Sequence, residues 1–146
     1  HQPESSIMSN LYTQFSVEIP YHSAAQQHWL LDQFAAAGES EDGSICSYED
    51  QPTDKCLWVY AEEYGDIERL ANLVAVYQQQ FSLTKPWILT WAHTCSKMAL
   101  DSFAGRAVAV FRGTTRFCNP LAIVSGWVTS QEDRRGRHSK KRSQPR

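Results

Sequence analysis

Side chains alternate between two faces from Leu11 to Ile19. Leu11, Thr13, Phe15, Val17 and Ile19 share one face, while Tyr12, Gln14, Ser16 and Glu18 share the other. A period of two predicts a half-buried strand, and Pro20 stops it. Ser23 then opens a helix, with Gln26 three residues on completing a capping-box pattern. Gln27, Leu30, Leu31, Phe34 and Ala35 recur at helical spacing as its buried stripe, and Gly38 is expected to supply a left-handed stop. The acidic stretch Glu39–Gly43 reads as loop.

Two shorter strands are expected near Ser44–Tyr48 and Lys55–Ala61, joined by the turn-rich Asp50–Asp54. In the second, Leu57, Val59 and Ala61 alternate with Trp58 and Tyr60. A further helix starts after Gly65, with Asp66 as N-cap and Glu68 in the first turn. Its stripe is Ile67, Leu70, Ala71, Val74, Tyr77 and Phe81, and it should end near Ser82, because Pro86 forbids easy continuation. A strand over Trp87–His93 follows, then a loop through Met98–Gly105. Arg106–Phe111 and Thr114–Cys118 read as a hairpin about Gly113. Leu121–Trp127 is apolar, with helix and strand both open.

This order predicts an α+β fold: a ferredoxin-like βαββαβ antiparallel sheet with two helices on one face, plus a C-terminal β-hairpin extension. Residues 8–130 form one domain. Residues 1–7, ahead of Met8, read as an appended remnant, and 131–146 as a basic tail. The helix-facing side of the sheet should be the aliphatic one, with Phe15, Val17, Leu57 and Val59. The opposite face then carries Tyr12, Trp58 and Tyr60, joined either by Trp87, Leu89 and Trp91 or by Ile88, Thr90 and Ala92. An uncovered aromatic face needs a covering, since large apolar patches mark interfaces. That covering is the chain's own Leu121–Trp127 segment, a second subunit, or stacked bases as in RNA-recognition modules.

The junction Trp91-Ala92-His93-Thr94-Cys95-Ser96-Lys97 concentrates the reactive side chains at a strand end. Cys95 as a nucleophile would draw on Lys97 or a histidine, with Thr94 and Ser96 as hydrogen-bond donors. His93 shares the face of Cys95 in an extended strand but lies about 7 Å along it, too far for direct proton transfer. The cysteines lack a C-x₂-C pair, and His22, His28, His93 and His138 show no convergent spacing, so no metal site is expected. There is no glycine-rich phosphate loop and no cofactor signature. The acidic pairs Glu49-Asp50 and Glu62-Glu63 read as solubilising loop charges rather than acid–base machinery.

Charge refines this picture. Residues 131–146 hold seven Lys or Arg against two acidic residues, a net +5, and the chain as a whole is −2, which leaves −7 on the rest. An acidic body opposes nucleic acid, whose phosphates supply most non-specific affinity, and no stretch matches the basic-Gly-aromatic signature of an RNA-reading strand. Nucleic-acid binding is therefore not favoured, although the basic tail or aromatic face would serve it. The chain has no apolar run long enough to span a membrane and no secretory pattern. The four cysteines, Cys46, Cys56, Cys95 and Cys118, are expected to be reduced thiols in a cytoplasmic protein.

The strand end Trp91–Lys97, followed by Phe103-Ala104-Gly105-Arg106-Ala107-Val108, resembles a family of small uncharacterised proteins of bacterial mobile elements (phages, plasmids and gene cassettes). These share a Trp-Ala-x-Thr-Cys-Ser-Lys strand end and then a glycine-rich loop leading into an Ala-Val strand. The opening Ser9-Asn10-Leu11-Tyr12-Thr13-Gln14-Phe15 is similar too. Met98-Ala99 and Ala104-Gly105-Arg106 depart from the family's Pro-containing step and glycine run. The resemblance implies origin and fold but no activity.

The resulting expectation is a non-enzymatic interaction module that binds a protein partner, including another copy of itself. Tyr12, Trp58, Tyr60, Trp91, His93, Thr94, Cys95, Ser96 and Lys97 are its candidate binding residues. The alternative is a small-molecule binder or Cys-dependent enzyme using the 93–103 loop.

Overall fold

A computed structural model describes residues 11–95 and 104–143. Among these residues six strands run in the order β1 (Leu11–Pro20), β2 (Ser47–Gln51), β3 (Cys56–Ala61), β4 (Trp87–Cys95), β5 (Ala104–Phe111) and β6 (Thr114–Cys118). Three helices interleave with them: α1 (Ala24–Glu39), α2 (Ile67–Gln80) and α3 (Pro120–Ser143). The class is α+β. All pairings are antiparallel, in the spatial order β2-β3-β1-β4-β5-β6. The hairpin expected as an extension, β5 and β6, continues the sheet past β4.

Alternation in β1 places Phe15 and Ile19 among the buried core and leaves Ser16 and Glu18 exposed. The same face receives Leu57 and Val59 from β3, Leu89 from β4, and Val108 and Val110 from β5, all at 0–1% exposure. Leu30 and Phe34 of α1 and Leu70 and Val74 of α2 close over them in one cluster. Full burial of each such side chain stabilises the fold by about 1.5–3 kcal/mol. The helices meet each other through Trp29 and Tyr77, stacked 5.5 Å apart.

The local signals act as expected at both helix starts. Ser23 Oγ accepts from the backbone N–H of Gln26 at 3.2 Å, and Gln26 Oε1 accepts from the N–H of His22 at 2.7 Å. Asp66 caps α2 by accepting from the N–H of Arg69 at 3.1 Å. Gly65 precedes it because a Cβ there would run into the Phe15 ring and Ala61. The β5–β6 turn places Arg112 and Gly113 at φ 50° and 80°, the two positive values a type I′ hairpin requires.

Three expectations are corrected, and one open choice is decided. Gly38 is not a left-handed stop: α1 runs through it to Ser40, whose N–H and Oγ–H both reach the Ala37 carbonyl, and Gly43 takes the positive φ instead. The second strand lies three residues later than expected, at Ser47–Gln51, because its register is set by β3. Asp50 is consequently a strand residue and no loop charge: it accepts from Tyr21 Oη at 2.8 Å and Gln27 Nε2 at 2.7 Å. Finally, Leu121–Trp127 is helical, and α3 carries on into the basic segment, with residues 132–136 exposed. The segments 1–7 and 96–103 lie outside the described residues.

One departure from a regular sheet stands out. The β1–β4 register runs from Leu11↔Cys95 to Gln14↔Ala92, and beyond it a cleft of about 570 Å³ opens, lined by Val17, Glu18, Ile19, Trp87 and Ile88 among others. Two side chains replace ladder bonds there. Trp87 Nε1 donates to the Glu18 carbonyl at 2.9 Å, and Tyr77 Oη donates to the Pro20 carbonyl at 2.8 Å. Carbonyls that a partner strand would otherwise satisfy are thus paired by the core's own rings.

Candidate functional site

The face away from α1 and α2 is built by the even positions of β1 and β3. Across it, Glu49, Trp58 and Glu18 form one register row, and Ser47, Tyr60 and Ser16 the next. Trp58 and Tyr60 stack with ring centroids 4.1 Å apart, and Trp58 Nε1 donates to Ser16 Oγ at 2.8 Å. Both rings are half-buried. Tyr12 sits on this face opposite Thr94, each half-buried. Of the two sets left open for β4, Ile88, Thr90 and Ala92 join this face.

Sequence reasoning held Ile88 as one of two alternatives for this surface and missed Phe111. Ile88 is 61% exposed and pairs with Ala109; the next outward residue of β5, Phe111, is 44% exposed beneath the Arg112 guanidinium at 5.1 Å. Alternation in β4 and β5 carries the signal, but only the β4 register decides which alternate set faces out. The α3 surface was likewise undecided. Ile123, Val124, Trp127 and Val128 stand 59%, 57%, 63% and 43% exposed on adjacent turns. Pro120 at the first helical position was the available clue.

Trp91 does not belong to the open face. It is buried at 7% exposure on the helix side, edge-on to Phe117 at 6.2 Å and to His93 at 6.4 Å. The reason is register: Trp91 follows Leu89 by two, and Leu89 is core. His93 shares this side and lines a second cleft of about 370 Å³ with Thr13, Tyr64, Asp66 and Phe117. Both its nitrogens are engaged. Trp91 Nε1–H can only donate, so His93 Nε2 accepts it at 3.1 Å; the proton then sits on Nδ1 and points at Thr13 Oγ1, 3.2 Å away. An imidazole held on both edges is positioned rather than available as a general base.

Thr94 therefore joins Tyr12, Trp58 and Tyr60, whereas Trp91 and His93 are together on the opposite side. Cys95 ends β4 opposite Leu11. The side chain of Cys95, together with Ser96 and Lys97, lies outside the described residues. Cys46, Cys56 and Cys118 are free. Burial pushes the Cys46 thiol up from its ordinary 9.0 to about 12, the Tyr60 backbone opposing only in part. Burial, then Glu18, Asp54 and Asp50, raises Cys56 as well. These are poor nucleophiles at neutral pH.

Among the described residues, no three His, Cys, Asp or Glu side chains converge as a metal site would require, and no helix is long and apolar enough to cross a membrane. The chain matches no known family model, no characterised protein and no solved structure.

Proposed function

We propose that the protein is a non-enzymatic interaction module that self-associates through its open sheet face. One observation carries this reading: an outward-facing surface combines the stacked Trp58–Tyr60 pair with exposed Ile88 and Phe111, while the apolar turn of α3 is exposed as well. Aromatic side chains supply contact area and hydrogen bonding together, as interface cores use them. His93, hydrogen-bonded on both edges, supports a role without catalysis.

The same reading takes β1–β4 with α1 and α2 as a ferredoxin-like split βαβ unit. It is supported by β1 lying between β3 and β4, with each helix crossing over one strand. Free thiols at Cys46, Cys56 and Cys118 support a reducing, cytoplasmic setting. Origin in a bacterial mobile element rests on the resemblance at Ser9–Phe15, Trp91–Lys97 and Phe103–Val108 alone.

Light scattering over a concentration series tests the function. Association that Ile88→Asp weakens, with secondary structure unchanged, is the expected result. A strict monomer at the highest concentrations would overturn it.

A further inference from the structure

We infer that the occupant of the open face is α3 of a second copy, exchanged reciprocally to give a two-fold dimer. This deepens the self-association reading above and rests on it.

The argument begins with what α3 is. Its first half presents Ile123, Val124, Trp127 and Val128 to solvent, and its second half carries Arg134, Arg135 and Arg137 and then Lys140, Lys141 and Arg142. Isolated helices are marginal in water, and Gly126 and Gly136 weaken this one further. Such a helix gains its stability by docking an apolar face.

The open face has the same two-part character in the same sense. Ile88, Ala109 and Phe111 make an apolar patch on β4 and β5. Across β1, β3 and β2, exposed Glu18 and Glu49 flank Trp58. The spacings agree. From the middle of the apolar turns to Arg134–Arg135 is eight or nine residues, about 13 Å of helix. From β4 to β2 is three strand spacings, about 14 Å. With Trp127 on the Ile88 patch, the arginines reach the carboxylates beside Trp58, where a guanidinium also meets the face of an indole. The charge division along the chain, −7 before residue 131 and +5 after it, acts in the same direction.

A C2 exchange makes two identical contacts, each pairing one helix with the other chain's sheet. That fixes the test. Full-length Trp127→Asp keeps the face and loses the helix; full-length Ile88→Asp does the reverse. Both positions are more than 60% exposed in the structure, so each variant should match the parent in circular dichroism and thermal unfolding at dilutions where the parent is itself a monomer. Each variant alone is expected to be a monomer at concentrations where the parent is a dimer. Mixed one to one, they should form a heterodimer through the one intact contact, at least tenfold weaker than the parent. The parent's dissociation constant should rise several-fold from about 50 to 500 mM NaCl, as exposed charge pairs are screened.

If Trp127→Asp alone still dimerises, the faces pair with each other: self-association survives and the helix exchange is overturned. If Ile88→Asp alone still dimerises, the helices pair with each other and the exchange is again overturned. A parent chain that is monomeric throughout removes both readings.

Discussion

The backbone N–H of Gly113 donates to Gln78 Oε1 at 3.0 Å, although 35 residues separate them. Gln78 Nε2 in turn donates to the Val110 carbonyl at 2.9 Å and lies 3.4 Å from the Lys85 carbonyl. At 3% exposure it is the buried polar residue among the described side chains. One amide therefore ties α2 to the β5–β6 hairpin and orients the two strands that extend the sheet. Gln78→Leu keeps the bulk but leaves a buried N–H and C=O without partners. A loss of about 2–6 kcal/mol is expected, from roughly 1–3 for each of the two stranded groups. Urea unfolding measures it, and amide exchange should quicken first at Gly113.

Gly113→Ala tests the same turn from the other side. Its φ of 80° disfavours a side chain, and a Cβ would press on Gln79. A cost of about 1–2 kcal/mol is expected. A stable Ala variant with an unshifted melting temperature would contradict the turn geometry.

The split between β1 and β4 predicts a specific effect of removing one hydrogen bond donor at a time. Trp87→Phe loses the bond to Glu18 and Tyr77→Phe loses the bond to Pro20. Tyr77→Phe should cost about 1 kcal/mol; Trp87→Phe should cost more, since ring volume is lost too. Both values come from denaturant midpoints, with unchanged slopes expected.

Stability should fall on the alkaline side in two stages. The Cys46 thiol has its folded value raised to about 12 from an ordinary 9.0, and Tyr21 and Tyr77 are raised to about 12 from 10.0. Burial leads in each case, with Asp50 adding to it at Tyr21. A raised acid favours the native state fully below its unfolded value, and the contribution is lost as pH climbs towards the folded value. The decline therefore begins near pH 9 with the thiol and steepens past pH 10 with the tyrosines. The thiol contributes up to about 1.4 kcal/mol per pH unit over this range. Chemical unfolding between pH 8 and 10 should show a shallower slope for Cys46→Ala than for the parent.

Much of the architecture was legible along the chain because it depends on neighbours. The alternation of β1, the Ser23 and Asp66 caps, the stripe of α2 and the hairpin about Gly113 each follow from residues within one or two turns of each other. Gly38 misled because any glycine near a helix end resembles a stop, while Ser40 offered the Ala37 carbonyl two donors. The position of β2 was misjudged because it answers to β3 across the sheet.

The candidate surface divides along the same line. Sequence alone determined that Trp58 and Tyr60 oppose Leu57 and Val59, since side chains two apart on a strand share a face. It also determined the division into an acidic body and a basic end. Only the tertiary structure decided that Ile88 and Phe111 face outward while Trp91 and His93 turn inward beside Thr13 and Phe117. That choice depends on which of two alternate sets of β4 meets Val108 and Val110 beneath the helices, a pairing between segments that local periodicity leaves equally satisfied either way.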